Sequence, residues 1–196
     1  GGPTDSGVIL WTRIAPSAVV DGEPLGVQVA RDPSFEEVVH EGIVPADRLD
    51  ESHDYTVKVD VDGELAADRV YHYRFAYDGV ASRTGRCRTL PAPGDSPDEL
   101  SFVVLTCQDY QNGYYGAYHH VAEEAADFAI HLGDFIYESA AGAYTSPTEE
   151  PVDGREISLP SGADLAESLA DFRHLYKTYQ RDPLLQEGLE STTFLY

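Results

Sequence analysis

A short run with three prolines, Pro91-Ala92-Pro93-Gly94-Asp95-Ser96-Pro97, divides the chain into stretches with different hydrophobic punctuation. Proline fixes φ and lacks the donor that a β-ladder needs, so such a run ends the strand before it and stiffens the boundary. Before it, apolar residues alternate with period two. After it, they come as compact runs separated by helical spacing. The expected organisation is an all-β sandwich over residues 1–92, a linker over 93–99, and an α/β unit over 100–196.

In the first stretch, Leu25, Val27 and Val29 alternate with small or polar neighbours, as do Tyr55, Val57, Val59 and Val61. Tyr71, Tyr73, Phe75 and Tyr77 put four aromatics on one strand face. Period-two alternation buries one face and wets the other, which is antiparallel behaviour. Asp21-Gly22, Asp62-Gly63 and Asp78-Gly79 mark turns, the last reading as a hairpin loop. Short strands at this spacing predict about seven strands in a fibronectin III or immunoglobulin-like sandwich. Tyr71, six positions after Leu65, reads either as a tyrosine corner bonding back to upstream backbone or as a plain core tyrosine.

In the second stretch, Leu100 to Thr106 and Phe128 to Leu132 are apolar runs of the kind found in strands buried on both faces. Between them Tyr115, Tyr118, Val121, Ala122 and Ala125 recur at helical spacing, which gives a βαβ unit with parallel strands. Leu165, Leu169, Phe172, Tyr176 and Tyr179 form a second helical stripe, and Asp164 with Glu167 predicts its capping box. Asp182-Pro183 predicts the start of a further helix, and residues 192–196 the beginning of a strand. The stretch between Glu138 and Ala163 is rich in Gly, Pro, Ser, Thr and acid, and reads as a mobile loop over a site.

Charge narrows the function classes. Thirteen basic residues stand against 35 acidic ones, a formal net charge of −22. Such a field repels phosphate backbones and anionic membrane surfaces, so no stable nucleic-acid complex is expected. No apolar run approaches the ~20 residues of a membrane span. Up to position 92 there are nine basic and sixteen acidic residues; beyond it there are four and nineteen. Lys58 and Lys177 are the only lysines. A halophilic protein, whose self-repulsion salt screens, has this composition, and so has an ordinary acidic secreted one. Two cysteines, Cys87 and Cys107, exclude a disulfide-stapled scaffold.

In open α/β sheets, ligands bind beyond the carboxyl ends of the strands, and adjacent tips lie about 4.8 Å apart. The first tip carries Cys107, and the second Gly133-Asp134 with Tyr137 three residues on. Gly133 lets the backbone turn out of the sheet, and Asp134 presents two oxygens able to bridge two metal ions. A phenolate at Tyr137 suits a hard trivalent ion. The plainer alternative is a Gly-Asp turn followed by a buried tyrosine, with Cys107 as a small buried hydrophobe. Cys87, on a sandwich strand, reads as such a hydrophobe. His119 and His120 are consecutive on a helix, diverge by about 100° and cannot chelate one ion together. Asp109 could touch a metal or cap the helix that follows, for which Asn112 is the better N-cap. His131 supports the site from the core. Arg173 either contacts phosphate or pairs with an acid.

The order and spacing of these motifs carry a resemblance. Leu105-Thr106-Cys107-Gln108-Asp109-Tyr110-Gln111-Asn112-Gly113-Tyr114-Tyr115, followed by His131-Leu132-Gly133-Asp134-Phe135-Ile136-Tyr137-Glu138, resembles the PhoD-like alkaline phosphatases, within the calcineurin-like and purple-acid-phosphatase-like metallophosphoesterases. Gly7-Val8-Ile9-Leu10-Trp11-Thr12-Arg13, Val70-Tyr71-His72-Tyr73-Arg74-Phe75, and the stretch from Asp171-Phe172-Arg173 to Asp182-Pro183 extend the likeness over nearly the whole chain. The resemblance implies a fibronectin-like sandwich ahead of an αββα catalytic domain that hydrolyses phosphate monoesters and diesters. It further implies a site of Fe(III) and calcium, with Cys107 on iron, Asp134 bridging iron to calcium and central to catalysis, and Tyr137 on iron. Attack on phosphorus would come from a metal-bound hydroxide. Cys107 stands where many metallophosphoesterases have aspartate, a substitution typical of this group.

The family's next motif, roughly Trp-Asp-Asp-His-Glu, is expected beyond Tyr196, so the chain is expected to be the N-terminal part of a longer protein and nearly inactive alone. Relatives are exported by the twin-arginine route, and no export signal stands at the start of this sequence. Two other readings remain open: a non-catalytic β-sandwich binding module with a degenerate phosphatase remnant, and a carbohydrate-binding sandwich.

Overall fold

A computed structural model describes residues 1–124, 126–140 and 152–196. Seven strands precede the proline-rich run: β1 (Ile9–Arg13), β2 (Leu25–Ala30), β3 (Val38–Val44), β4 (Thr56–Asp60), β5 (Val70–Tyr77), β6 (Val80–Ala81) and β7 (Gly85–Arg88). All their pairings are antiparallel. β1 pairs with β4; the rest form the order β3-β2-β5-β6, with β7 also on β5. Leu10 and Val57 from the smaller sheet and Leu25, Val27, Val29, Tyr71, Phe75 and Cys87 from the larger one are buried in one shared cluster. Fully burying a side chain of this size contributes roughly 1.5–3 kcal/mol, which is why the alternation fixes the register. The Tyr71 hydroxyl accepts the Ala66 N–H at 2.9 Å, so this tyrosine does bond back to upstream backbone. Burial pushes the Cys87 thiol up to about 12.

Residues 89–101 carry neither helix nor strand. Beyond them come β8 (Phe102–Leu105), α1 (Gly116–Glu124), β9 (Phe128–His131), α2 (Leu169–Gln180), α3 (Pro183–Ser191) and β10 (Thr193–Leu195). The three strands are parallel in the order β10-β9-β8, with Val103 and Phe194 both opposite Ala129. Tyr118 of α1, Leu175 and Tyr179 of α2 and Leu185 of α3 are buried with Ala129 in a second cluster. Alternate side chains of β8 point away from it: Phe102 is 46% and Val104 60% exposed. The apolar run therefore does not mean burial on both faces, because the second cluster covers only the face of Val103 and Leu105 and leaves the other open among the described residues.

Helix α2 starts later than its stripe suggests. Ser168 is the N-cap and exchanges side-chain and backbone bonds with Asp171. Leu165 instead bridges to Ser139, and Ala166 N–H donates to the Glu138 carbonyl at 2.8 Å. Backbone pairing thus claims the residues around the expected Asp164–Glu167 box. Asp182 does cap α3, accepting the Leu184 and Leu185 N–H groups ahead of Pro183. Of the expected lid, 141–151 lie outside the described residues, as does Ala125 of the first helical stripe. The remainder is anchored, with Arg155, Ile157 and Leu159 buried. No helix among the described residues is long and apolar enough to cross a membrane.

The two parts meet through arginines of β7. Arg86 donates to the Ala126 and Ser191 carbonyls at 3.3 and 3.2 Å, and Arg88 pairs with both Asp68 and Asp127. The Arg88 N–H donates to Thr193 Oγ1 at 2.8 Å. These contacts sit at the amino ends of β9 and β10, opposite the carboxyl-end strand tips.

Candidate functional site

The tips of β8 and β9 are knitted together beyond the sheet. Leu132 N–H donates to the Leu105 carbonyl at 2.9 Å, Cys107 N–H to Gly133 at 3.2 Å, and Gln108 N–H to Asp134 at 3.1 Å. Gly133 turns the chain with φ of 131°, a conformation strained for any side chain. Cys107 and Asp134 both occupy the left-handed region, at φ of 57° and 54°. Such backbone costs about 1–3 kcal/mol per non-glycine residue and persists only where the surroundings over-determine it.

This backbone brings three chemically distinct groups onto one oxygen. Cys107 Sγ lies 3.3 Å from Asp134 Oδ2, and Tyr137 Oη lies 3.4 Å from the same atom. Tyr137 is held from behind, its N–H donating to the Tyr179 hydroxyl at 3.3 Å. Desolvation, then the contacts with Cys107 and Asp134, raise the Tyr137 phenol well above the ordinary tyrosine range. Thiol and phenol both direct protons at one carboxylate. A cation at this point would replace both protons and take a carboxylate, a thiolate and a phenolate together, so the donor set fits a metal that accepts hard oxygen and softer sulfur. No group of three or more His, Cys, Asp and Glu side chains among the described residues is placed to hold a metal. The cluster reaches three donors only through the phenol.

A cleft of about 480 Å³ opens beside the cluster, bounded by Leu105, Cys107, Asp109, Asn112, Tyr114 and Tyr137. Asp109 accepts the Gln111 N–H at 2.9 Å and the Asn112 amide at 2.8 Å, and burial raises its carboxyl. These two residues brace the loop, and Asn112 lies too far upstream of Gly116 to cap α1. His131 is buried; its Nδ1 accepts the Gly133 N–H at 3.3 Å, while Nε2 has no hydrogen-bond partner among the described residues. Burial lowers its pKa. His119 and His120 are exposed beside Glu187 and Glu123. Arg173 donates to the Ser52 carbonyl rather than reaching the tips.

Two residues around the site escape sequence reasoning. Gln108 is 7% exposed, and its amide joins the Phe135 carbonyl to the Tyr118 hydroxyl. Arg155 is buried against Asp182, its guanidinium 4.3 Å above the Tyr110 ring and about 5 Å from those of Tyr114 and Tyr115. The only signal for Gln108 was its place just past a strand tip; for Arg155, it was the scarcity of basic residues after position 92.

Residues 1–91 match the model of the PhoD-like phosphatase N-terminal domain, and residues 102–196 that of PhoD-like phosphatase itself. Over 192 residues the chain is 34% identical to alkaline phosphatase D of Bacillus subtilis (strain 168), an alignment covering 95% of this chain and 31% of that protein. The solved structure of PhoD superposes with a TM-score of 0.83 at 33% identity, covering 99% of this chain and 36% of that one. The chain thus spans about a third of the length of these relatives. With matches of one family on both sides of the proline-rich run, the chain belongs to the PhoD-like phosphatases.

Proposed function

We propose that this chain forms part of a metal-dependent hydrolase of phosphate monoesters and diesters. Residues 1–92 form its fibronectin-like sandwich, 93–99 its linker, and 100–196 the start of its metallophosphoesterase domain. The observation that carries this reading is the meeting of Cys107, Asp134 and Tyr137 on one carboxylate oxygen at adjacent strand tips. Cys107 and Tyr137 would hold Fe(III), and Asp134, whose carboxylate has two oxygens, would bridge to calcium. Bound there, the two ions supply positive charge for the phosphate oxygens and lower the pKa of water. The left-handed backbone at Cys107 and Asp134 sends both side chains off the strand tips toward one point, which favours their meeting on a shared ion. The cleft beside Tyr137 gives the ester's substituent room outside the donor cluster. Local positive charge at this one point also reconciles an anionic substrate with a chain of net charge −22. On this reading the protein is exported from the cell, as the family resemblance implies.

The test pairs colour with turnover. The full-length protein that contains this chain, loaded with iron, should show a tyrosinate-to-iron charge-transfer band that Tyr137→Phe abolishes, together with release of phosphate from p-nitrophenyl phosphate. A colourless full-length protein without bound metal and without phosphate release would refute the proposal.

A further inference from the structure

The buried side chain of Gln108, from beyond the first strand tip, reaches across to the second. Its backbone N–H donates to the Asp134 carbonyl at 3.1 Å, and its own carbonyl accepts the Tyr115 hydroxyl at 2.9 Å. At the end of the side chain, Nε2 donates to the Phe135 carbonyl at 2.9 Å, and Oε1 accepts the Tyr118 hydroxyl. A carbonyl can only accept, so the Phe135 contact fixes which end of the amide faces which way. All its polar atoms are thereby used, on either side of the two left-handed residues that present the thiol and the carboxylate.

We infer that Gln108 is a positioning residue: its neutral amide, held between Tyr118 and Phe135, sets the separation of Cys107 Sγ and Asp134 Oδ2. The inference rests on the reading of that cluster as a cation site. The residue type follows from the geometry. The position needs one donor and one acceptor on a single uncharged head group, at the reach of two methylenes. Ionised glutamate has no donor for Phe135 and adds negative charge beside Asp134. Asparagine is one methylene short, and leucine leaves both the carbonyl and the hydroxyl buried without partners. Groups that orient metal ligands from behind typically change metal affinity by about 10–100-fold when removed.

The experiment titrates the protein with cobalt(II) and follows the thiolate-to-cobalt absorption, which reports Cys107 directly; Cys107→Ser serves as the blank. Q108L should weaken cobalt binding about tenfold or more, within the range for such orienting groups. Y118F removes only the hydroxyl and keeps the ring against Phe194 and Tyr115, so its circular dichroism should match wild type while cobalt binding weakens several-fold. The double variant should bind no more weakly than Q108L, because both act along one thread. If Q108L does not fold, Y118F decides the matter. Wild-type cobalt affinity in the folded variants overturns the inference and leaves the reading of the cluster standing. A wild-type protein that develops no thiolate–cobalt band overturns both.

Discussion

Removing the Arg155 guanidinium should cost more than any surface change in this acidic chain. Arg155→Met keeps the length of the side chain and much of its packing against Tyr110 and Tyr115, but leaves the Asp182 carboxylate, only 3% exposed, without its cation. Breaking a buried pair from one side typically costs about 3–5 kcal/mol. The residual bonds from Leu184 and Leu185 N–H, at 2.9 and 3.1 Å, keep the capped end of α3 in place but do not neutralise the charge. For a chain of this size the loss corresponds to a fall in melting temperature of about 6–20 °C. Asp182→Asn keeps the capping oxygen and strands the arginine, so it should cost a similar amount. Arg155→Met with Asp182→Asn removes both charges and should recover most of the loss, with a coupling of about 3 kcal/mol. Urea unfolding followed by far-ultraviolet circular dichroism measures the global effect, and hydrogen exchange at the Leu185 and Tyr118 amides locates it. Fluorescence of Trp11, the chain's single tryptophan, reports the other part of the molecule. A loss below about 1 kcal/mol in Arg155→Met, or a double variant equal to the sum of the singles, would refute the ion-pair reasoning.

Gly188→Ala should destabilise despite the helix propensity of about 1 kcal/mol that alanine gains. The added Cβ would lie 2.7 Å from Tyr118 Cδ1 and 3.3 Å from its carbonyl oxygen, so α1 and α3 must part, at about 1–3 kcal/mol. A melting temperature equal to or above wild type contradicts that spacing. Asp171 should govern acid stability. Its carboxyl is fully buried and held well below the usual range, chiefly by the Ser168 hydroxyl and then by backbone N–H groups such as that of Ser161. The folded value is the depressed one, so the stabilisation is complete above the ordinary carboxyl value of about 3.9 and is lost as pH falls below it. In acid titrations wild type should therefore lose stability more steeply below about pH 4 than Asp171→Asn, and identical slopes would show that the cap is not linked to protons.

The parts of the fold that were legible in sequence are those governed by local rules. The aromatic alternation from Tyr71 to Tyr77 gives β5, and Asp182-Pro183 gives the start of α3, because period and cap chemistry are written within a few residues. Where long-range pairing competes, the local signal fails. Asp164 and Glu167 look like a capping box, yet the chain around them pairs with Glu138 and Ser139, and the helix waits for Ser168. An apolar run likewise does not say whether both faces of its strand are covered, which is why the exposure of Phe102 and Val104 is not legible in β8. At the site, the strand tips that carry Cys107, Asp134 and Tyr137 can be placed from apolar runs, whereas their assignment to a metal came only with the family resemblance. Gln108 and Arg155 were not legible, since a buried polar group is recognised only by partners that lie far along the chain.

Strand β9 is only four residues long, with Asp127 just before it gripped by Arg88 and Asp134 three residues past its end. At about 3.3 Å per residue the strand itself spans roughly 13 Å, so anchorage and chemistry stand at its opposite ends, the second beyond the turn at Gly133. The arginine clasp can therefore drift over generations, or be re-engineered to exchange the leading module, without redrawing the geometry of the thiol, carboxylate and phenol at the other end.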